Sequence, residues 1–289
     1  MAQGEHARRG AISRRRVIMG AGAALAAGLA GAASLGSTAQ AAESGKSMTE
    51  NTAKPIIVLV HGAWADGSGW GRVISSLEDD GYTVVAPAVG LGSLSADIAA
   101  TRKFVADLAA PALLVGHSYG GAVISGAASG LANAVGLVYL AGFALDEGES
   151  LFGLVNQFGQ QYGPAFAGQF FRPDGAFDNP QTLVYLDRAN FGAGFVQDID
   201  AERAAVLAAT QRPIAVGAFG EPLQIAPAWR TLRSWYQVST QDRVIQPEAE
   251  RWMAKRIGAE TIEIECSHAS PIARPRAVAR LIKRAARAS

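Results

Sequence analysis

Gly116-His117-Ser118-Tyr119-Gly120 sets one hydroxyl between two glycines, each two residues away. In a G-x-S-x-G pattern the serine occupies a sharp, strained turn from strand to helix. The glycines remove Cβ atoms that would collide across that turn. The flanks suit this. Leu113-Leu114-Val115 reads as a strand buried on both faces, and the small apolar residues from Ala122 onward read as a helix packed on a sheet. Such a serine can attack an acyl carbonyl, provided it has a base and the base has a group to orient it. The chain has four histidines. His6 lies in a segment that reads as an export signal. His117 adjoins the serine and is expected to point to the other side of the turn. His61 belongs to a separate motif, where it is expected to brace a loop. His268 remains as the base, following the strand-like run Glu260 to Cys266.

An orienting acid should fall between serine and histidine in chain order. Asp242 does so, in a turn between strand-like Trp235 to Ser239 and a helix opened by Pro247. It lies one strand–helix–strand unit before His268. Asp146 and Glu147, after the earlier strand "AVGLVYLAGF", are the alternative. The developing oxyanion needs backbone N–H donors. Tyr119, the residue after the serine, supplies one. Ala63, in the loop after the apolar run Ile56 to Val60, is the candidate for the other.

Taken in order, "VHGAW", "GHSYGG", "STQDRVI" and "SHAS" resemble the α/β-hydrolase superfamily. Within it the chain most resembles the small esterase group of plant methyl esterases, hydroxynitrile lyases and their bacterial relatives. The resemblance runs from Lys54 to about Lys283 and is weakest from Asp146 to Arg212. It implies a serine hydrolase that cleaves carboxylic esters of small apolar or aromatic molecules through an acyl-enzyme, without a cofactor. Lyases of the group resemble one another in an oxyanion-loop threonine and a lysine beside the histidine. Gly62 and Ala269 stand at those places here, which leaves no cation for a cyanide leaving group. Relatives with an aspartate nucleophile are set aside by Ser118. Lactone, thioester and carbon–carbon bond hydrolysis remain alternatives. A non-catalytic ligand-binding or sensor protein is the alternative of another class, since fold does not fix function.

The elements that must hold these residues are legible as an alternation. Strands are expected at 55–61, 82–88, 111–117, 134–141, 233–239 and 260–266. Helices are expected at 68–80, 94–109, 119–131, 247–257 and 274–287. Alternating strands and helices imply a mostly parallel central sheet flanked by helices. With 289 residues, 49% of them hydrophobic, the chain can bury a core of that size. Residues 54–144 and 213–289 are expected to form the hydrolase core. Residues 145–212, rich in Phe, Tyr, Gln and Gly, break the alternation and read as an inserted cap over the catalytic face, mostly short helices and loops. Trp64, Phe143 and Phe152 are the candidate pocket residues. Phe158, Phe166 and Tyr185 are expected in the pocket wall or the cap's own core.

Residues 1–41 carry Arg14-Arg15, then an Ala/Gly/Leu run, then Ala39-Gln40-Ala41. This resembles a twin-arginine export signal with its cleavage site. It implies a periplasmic or secreted protein with no stable membrane anchor after processing. Residues 42–53 would be a flexible linker. Cleavage would remove five Arg and one Glu and turn a formal charge of +1 into −3. Neither value points to nucleic acid. The single cysteine, Cys266, is expected to be a buried hydrophobe and permits no internal disulfide. Scattered histidines give no metal-ligand spacing, and no G-x-G-x-x-G cradle appears. The basic C-terminal helix reads as a solvated face. The expected partner is a small-molecule ester.

Overall fold

The computed structural model describes residues 54–158, 171–176 and 178–289. The signal and linker expectations, and Phe166, lie outside the described residues.

Hydrophobic strands and one-sided helices assemble as the alternation demands. The strands of the main sheet are β1 (Ile56–Val60), β2 (Val84–Val85), β3 (Ala112–His117), β4 (Ala134–Leu140), β8 (Ser234–Ser239) and β9 (Glu260–Ile264). They lie in the order β2-β1-β3-β4-β8-β9, and every pair is parallel. β3, β4 and β8 are almost wholly buried, as strands covered on both faces should be. α1 (Gly71–Glu78) and α9 (Pro275–Ala288) cover one face, where Val73, Leu77, Val278 and Ile282 meet Leu113, Val115 and Trp235. α2 (Leu94–Ala106), α3 (Tyr119–Ala127) and α8 (Pro247–Arg256) cover the other. Strand order reverses between β1 and β3, and in open α/β sheets the crevice beyond the strand ends at such a point is where ligands bind.

The region between β4 and β8 differs from the expectation of short helices and loops. It contains α4 (Leu151–Gln157), α5 (Phe191–Phe195), α6 (Ala201–Thr210) and α7 (Val216–Gly220). It also contains a second sheet of β5 (Phe171–Pro173), β6 (Leu183–Leu186) and β7 (Ile214–Ala215), paired antiparallel. β7 lies just past residue 212, and its Ala215 N–H donates to the Leu91 carbonyl (2.8 Å). This small sheet is thereby tied to the loop that follows β2. β2 itself is two residues long rather than seven, and β9 ends at Ile264, before Cys266. Among the described residues no helix is long and apolar enough to cross a membrane.

Candidate active site

Ser118 follows β3 with φ 55° and ψ −123°, a conformation that non-glycine residues seldom adopt. The surroundings hold it there. Its N–H donates to the Leu140 carbonyl (3.1 Å), and its own carbonyl accepts from Gly121 (2.9 Å) and Phe143 (3.0 Å). The glycines are required by contact distance. A Cβ on Gly116 would stand 2.5 Å from the Gly120 carbonyl oxygen, and one on Gly62 would stand 2.8 Å from Ser118 Cβ. The second distance also places the loop after β1 directly beside the serine.

In that loop His61 Nε2 accepts the Val89 N–H (3.2 Å). The ring proton therefore sits on Nδ1, which donates to the Gly62 carbonyl (2.9 Å). Burial lowers the pKa of this imidazole. His61 is a brace between two loops, as expected. Ala63 is buried. Trp64 has φ 59°, donates its backbone N–H to the Arg212 carbonyl (3.0 Å) and its indole N–H to the Val184 carbonyl (2.9 Å). The loop is thus clamped to the inserted region. Tyr119 opens α3, where the first N–H groups have no partner within the helix. Its hydroxyl donates to Asp97 Oδ2 (2.7 Å), and Asp97 also accepts the N–H groups of Gly90 and Leu91. Burial raises the pKa of Asp97, and burial with the Asp97 charge raises that of Tyr119.

Asp242 lies in the turn after β8. Its Oδ1 accepts from the Val244 (2.6 Å) and Ile245 (2.8 Å) N–H groups. Its Oδ2 is 2.5 Å from His268 Nδ1, with both side chains fully buried. That carboxylate fixes the proton on Nδ1 and leaves Nε2 as the acceptor. His268 Nε2 is buried and has no hydrogen-bond partner among the described residues. A satisfied structural histidine would have one. Asp146 stands elsewhere. Its Oδ1 accepts from Arg230 Nη2 (2.5 Å) and the Glu147 N–H, and Glu147 pairs with the same guanidinium at 3.7 Å. So the structure brings Asp242, and not that pair, onto the imidazole of His268.

His117 does not turn away as the sequence suggested. Its Nε2–H donates to the His268 carbonyl (2.9 Å), and the two rings lie 4.9 Å apart. The ring lies between Trp70 and His268. Burial and the neighbouring imidazole push its pKa from 6.5 down to about 3. Below pH 6.5 the unfolded chain would bind a proton there that the folded chain refuses. The stability from this neutral histidine is complete above pH 6.5 and is lost as pH falls towards about 3. His117→Gln keeps an N–H for the carbonyl. Its melting temperature should fall less than that of wild type between about pH 7 and about pH 4. Equally steep falls in the two proteins would contradict this.

The other sequence candidates divide. Trp64 and Phe143 are buried in the core, and Trp64 with Phe191, Phe195 and Ile272 lines a small cleft. Phe152 is 39% exposed and packs on Phe219 (5.2 Å). Tyr185 is exposed, and Phe158 meets Trp252. Phe195, which the sequence did not single out, stands 5.2 Å from the His268 ring and 6.1 Å from Trp64. Burial pushes the Cys266 thiol up to about 11, so it stays protonated beside Ser239. Among the described residues no group of three or more His, Cys, Asp or Glu could hold a metal ion.

Residues 57–281 match the model of the alpha/beta hydrolase family. The chain belongs to that family. Two curated relatives are similar to it. The carbendazim hydrolyzing esterase of Nocardioides sp. (strain SG-4G) is 35% identical over 111 residues, 34% of this chain and 46% of the relative. Putative methylesterase 11, chloroplastic, of Arabidopsis thaliana is 25% identical over 249 residues, 80% of this chain and 64% of the relative. The matches therefore span less than two thirds of either relative's length. Among solved structures, a pyrethroid hydrolase from Sphingobium faniae JZ-2 aligns with a TM-score of 0.69 at 22% identity, over 81% of this chain and 98% of that one. The likeness to that hydrolase is one of fold. The parallel sheet with flanking helices is the family's architecture.

Proposed function

We propose that this alpha/beta hydrolase is an exported serine esterase acting on carboxylic esters of small apolar or aromatic molecules. The observation that carries the reading is His268. It is bonded through Nδ1 to Asp242, its Nε2 is buried and unpaired, and its carbonyl is bonded to the residue preceding Ser118. The Ser118 hydroxyl is not bonded to Nε2 in this arrangement, and such bonds commonly tighten only with substrate.

His268 Nε2 removes the Ser118 proton as Oγ bonds to the carbonyl carbon, and the carbonyl electron pair moves onto oxygen. The Ala63 and Tyr119 N–H groups receive that charge. Each such donor is worth ~3 kcal/mol of barrier. Collapse expels the alkoxide, which takes the proton from His268 and leaves an acyl-enzyme. Water, activated by the same histidine, releases the acid. Asp242 holds the imidazole and stabilises its cation throughout. Phe195 packs against the His268 ring and Trp64 against Phe195, so apolar side chains border the imidazole, where weaker solvent screening would strengthen these interactions. The relatives named as a carbendazim hydrolyzing esterase and a putative methylesterase support ester substrates.

Purified protein assayed against p-nitrophenyl esters of increasing acyl length should show saturable turnover, best with short or compact acyl groups. Tight binding without turnover across esters, lactones and thioesters would favour the sensor reading instead.

Export rests on Arg14-Arg15 and Ala39-Gln40-Ala41. The exported protein should begin near Ala42, and Arg14→Lys with Arg15→Lys should leave precursor in the cytoplasm. Amino-terminal sequencing that finds Met1 on exported protein would contradict cleavage. Normal export of the double variant would contradict the twin-arginine route.

A further inference from the structure

Glu250 on α8 has no exposed surface, and the mechanism above does not use it. Its Oε2 accepts the N–H of Ser239, the last residue of β8 (2.9 Å). Its Oε1 is buried and has no hydrogen-bond partner among the described residues. The turn that follows Ser239 carries Asp242, whose N–H returns to the Ser239 carbonyl (3.1 Å). Glu250 and Asp242 thus flank one short stretch of backbone, and their side chains interact. Titratable groups that also feel Glu250 include Tyr236 on β8, Cys266 after β9 and Arg251 on its own helix. Tyr236 donates its hydroxyl to the Gly142 carbonyl, and Arg251 is solvent-facing and paired with Glu263 and Glu248. Among the described residues no salt bridge joins Glu250 to a cation.

A buried anion without a partner beside a second anion is costly. A neutral acid needs only an acceptor for its proton, and Asp242 is an acceptor beside it. We infer that Glu250 is a neutral carboxylic acid whose Oε1–H donates to the Asp242 carboxylate, making it a positioning residue for the Asp242–His268 pair. Burial and the Asp242 charge both raise the pKa of Glu250 well above the carboxylate range, in keeping with this. The inference rests on the proposed roles of Asp242 and His268.

Infrared difference spectra and kinetics of the full protein test it. Wild type at neutral pH should show the carbonyl stretch of a protonated carboxylic acid that is missing from Glu250→Gln. The amide keeps an acceptor for Ser239 and a donor for Asp242, so Glu250→Gln should stay within about threefold of wild-type kcat. Glu250→Leu removes the donor. It should lose roughly tenfold to a hundredfold in kcat, the worth of one hydrogen bond to a charged group, with the acid limb of the pH profile displaced. Placed on Asp242→Asn, the same substitution should cost little more, because its target is gone. A missing infrared band would overturn the inference. So would a Glu250→Gln variant as damaged as Glu250→Leu, or full additivity with Asp242→Asn. Failure of the catalytic reading would show separately, as wild-type turnover by Ser118→Ala, whereas the infrared band reports on Glu250 regardless of activity.

Discussion

Ser118→Ala should leave the fold intact and lower kcat by a factor on the order of 10⁶, the loss that follows removal of the nucleophile from a serine protease. The size of the effect follows from the site. In the proposed mechanism histidine, acid and oxyanion donors act on one hydroxyl, so without it the others have nothing to activate. Fold loss should not confuse the result. Ser118 is held through its backbone N–H and carbonyl, which alanine retains. The φ of 55° is no harder for alanine than for serine. Circular dichroism and a melting temperature near that of wild type would establish this, and steady-state kinetics on an activated ester would give the loss. Retention of most of the turnover would remove Ser118 from its role.

Asp242→Asn should lose about 10⁴ in turnover, as the equivalent amide does in a serine protease. Asparagine keeps an oxygen for the Val244 and Ile245 N–H groups, so the turn should survive. What changes is the contact with His268. An amide NH₂ facing Nδ1 moves the ring proton to Nε2, where it blocks the proton transfer, and no negative charge stabilises the imidazolium. Asp146→Asn and Glu147→Gln should stay within a few-fold of wild type, because both carboxylates engage the half-exposed Arg230, and such pairs contribute ~0–1 kcal/mol. A crippled Asp146→Asn with a normal Asp242→Asn would reverse the assignment.

Much of this was legible in the sequence because strand and helix alternate with different hydrophobic periods, and because the site residues stand at the ends of those elements. Ser118 is flagged by its glycines, His268 by the shortage of histidines, and Asp242 by chain order. The geometry then separates Asp242 from Asp146, which chain order alone left open. The small sheet was not legible. Ile214–Ala215 is two residues long and pairs with Leu183–Val184 some thirty residues earlier, too short for any period to emerge. The direction of the His117 ring goes with a bond to the His268 carbonyl, 151 residues away in the chain, which no local pattern reveals. Glu250 did leave a signal. It falls on the stripe of α8 that includes Met253 and Ala254, so a carboxyl stands at a core position. A charged residue on an apolar stripe is a reason to look for its partner.

Everything proposed for this protein turns on one reactive hydroxyl. Incubating the protein with an ester-like fluorophosphonate and weighing it intact, followed by peptide mapping, tests it most directly. One adduct per chain is expected, on the peptide containing Ser118, absent from Ser118→Ala and slow to form in Asp242→Asn. An adduct on any other residue, or none on a protein that turns over esters, would contradict it.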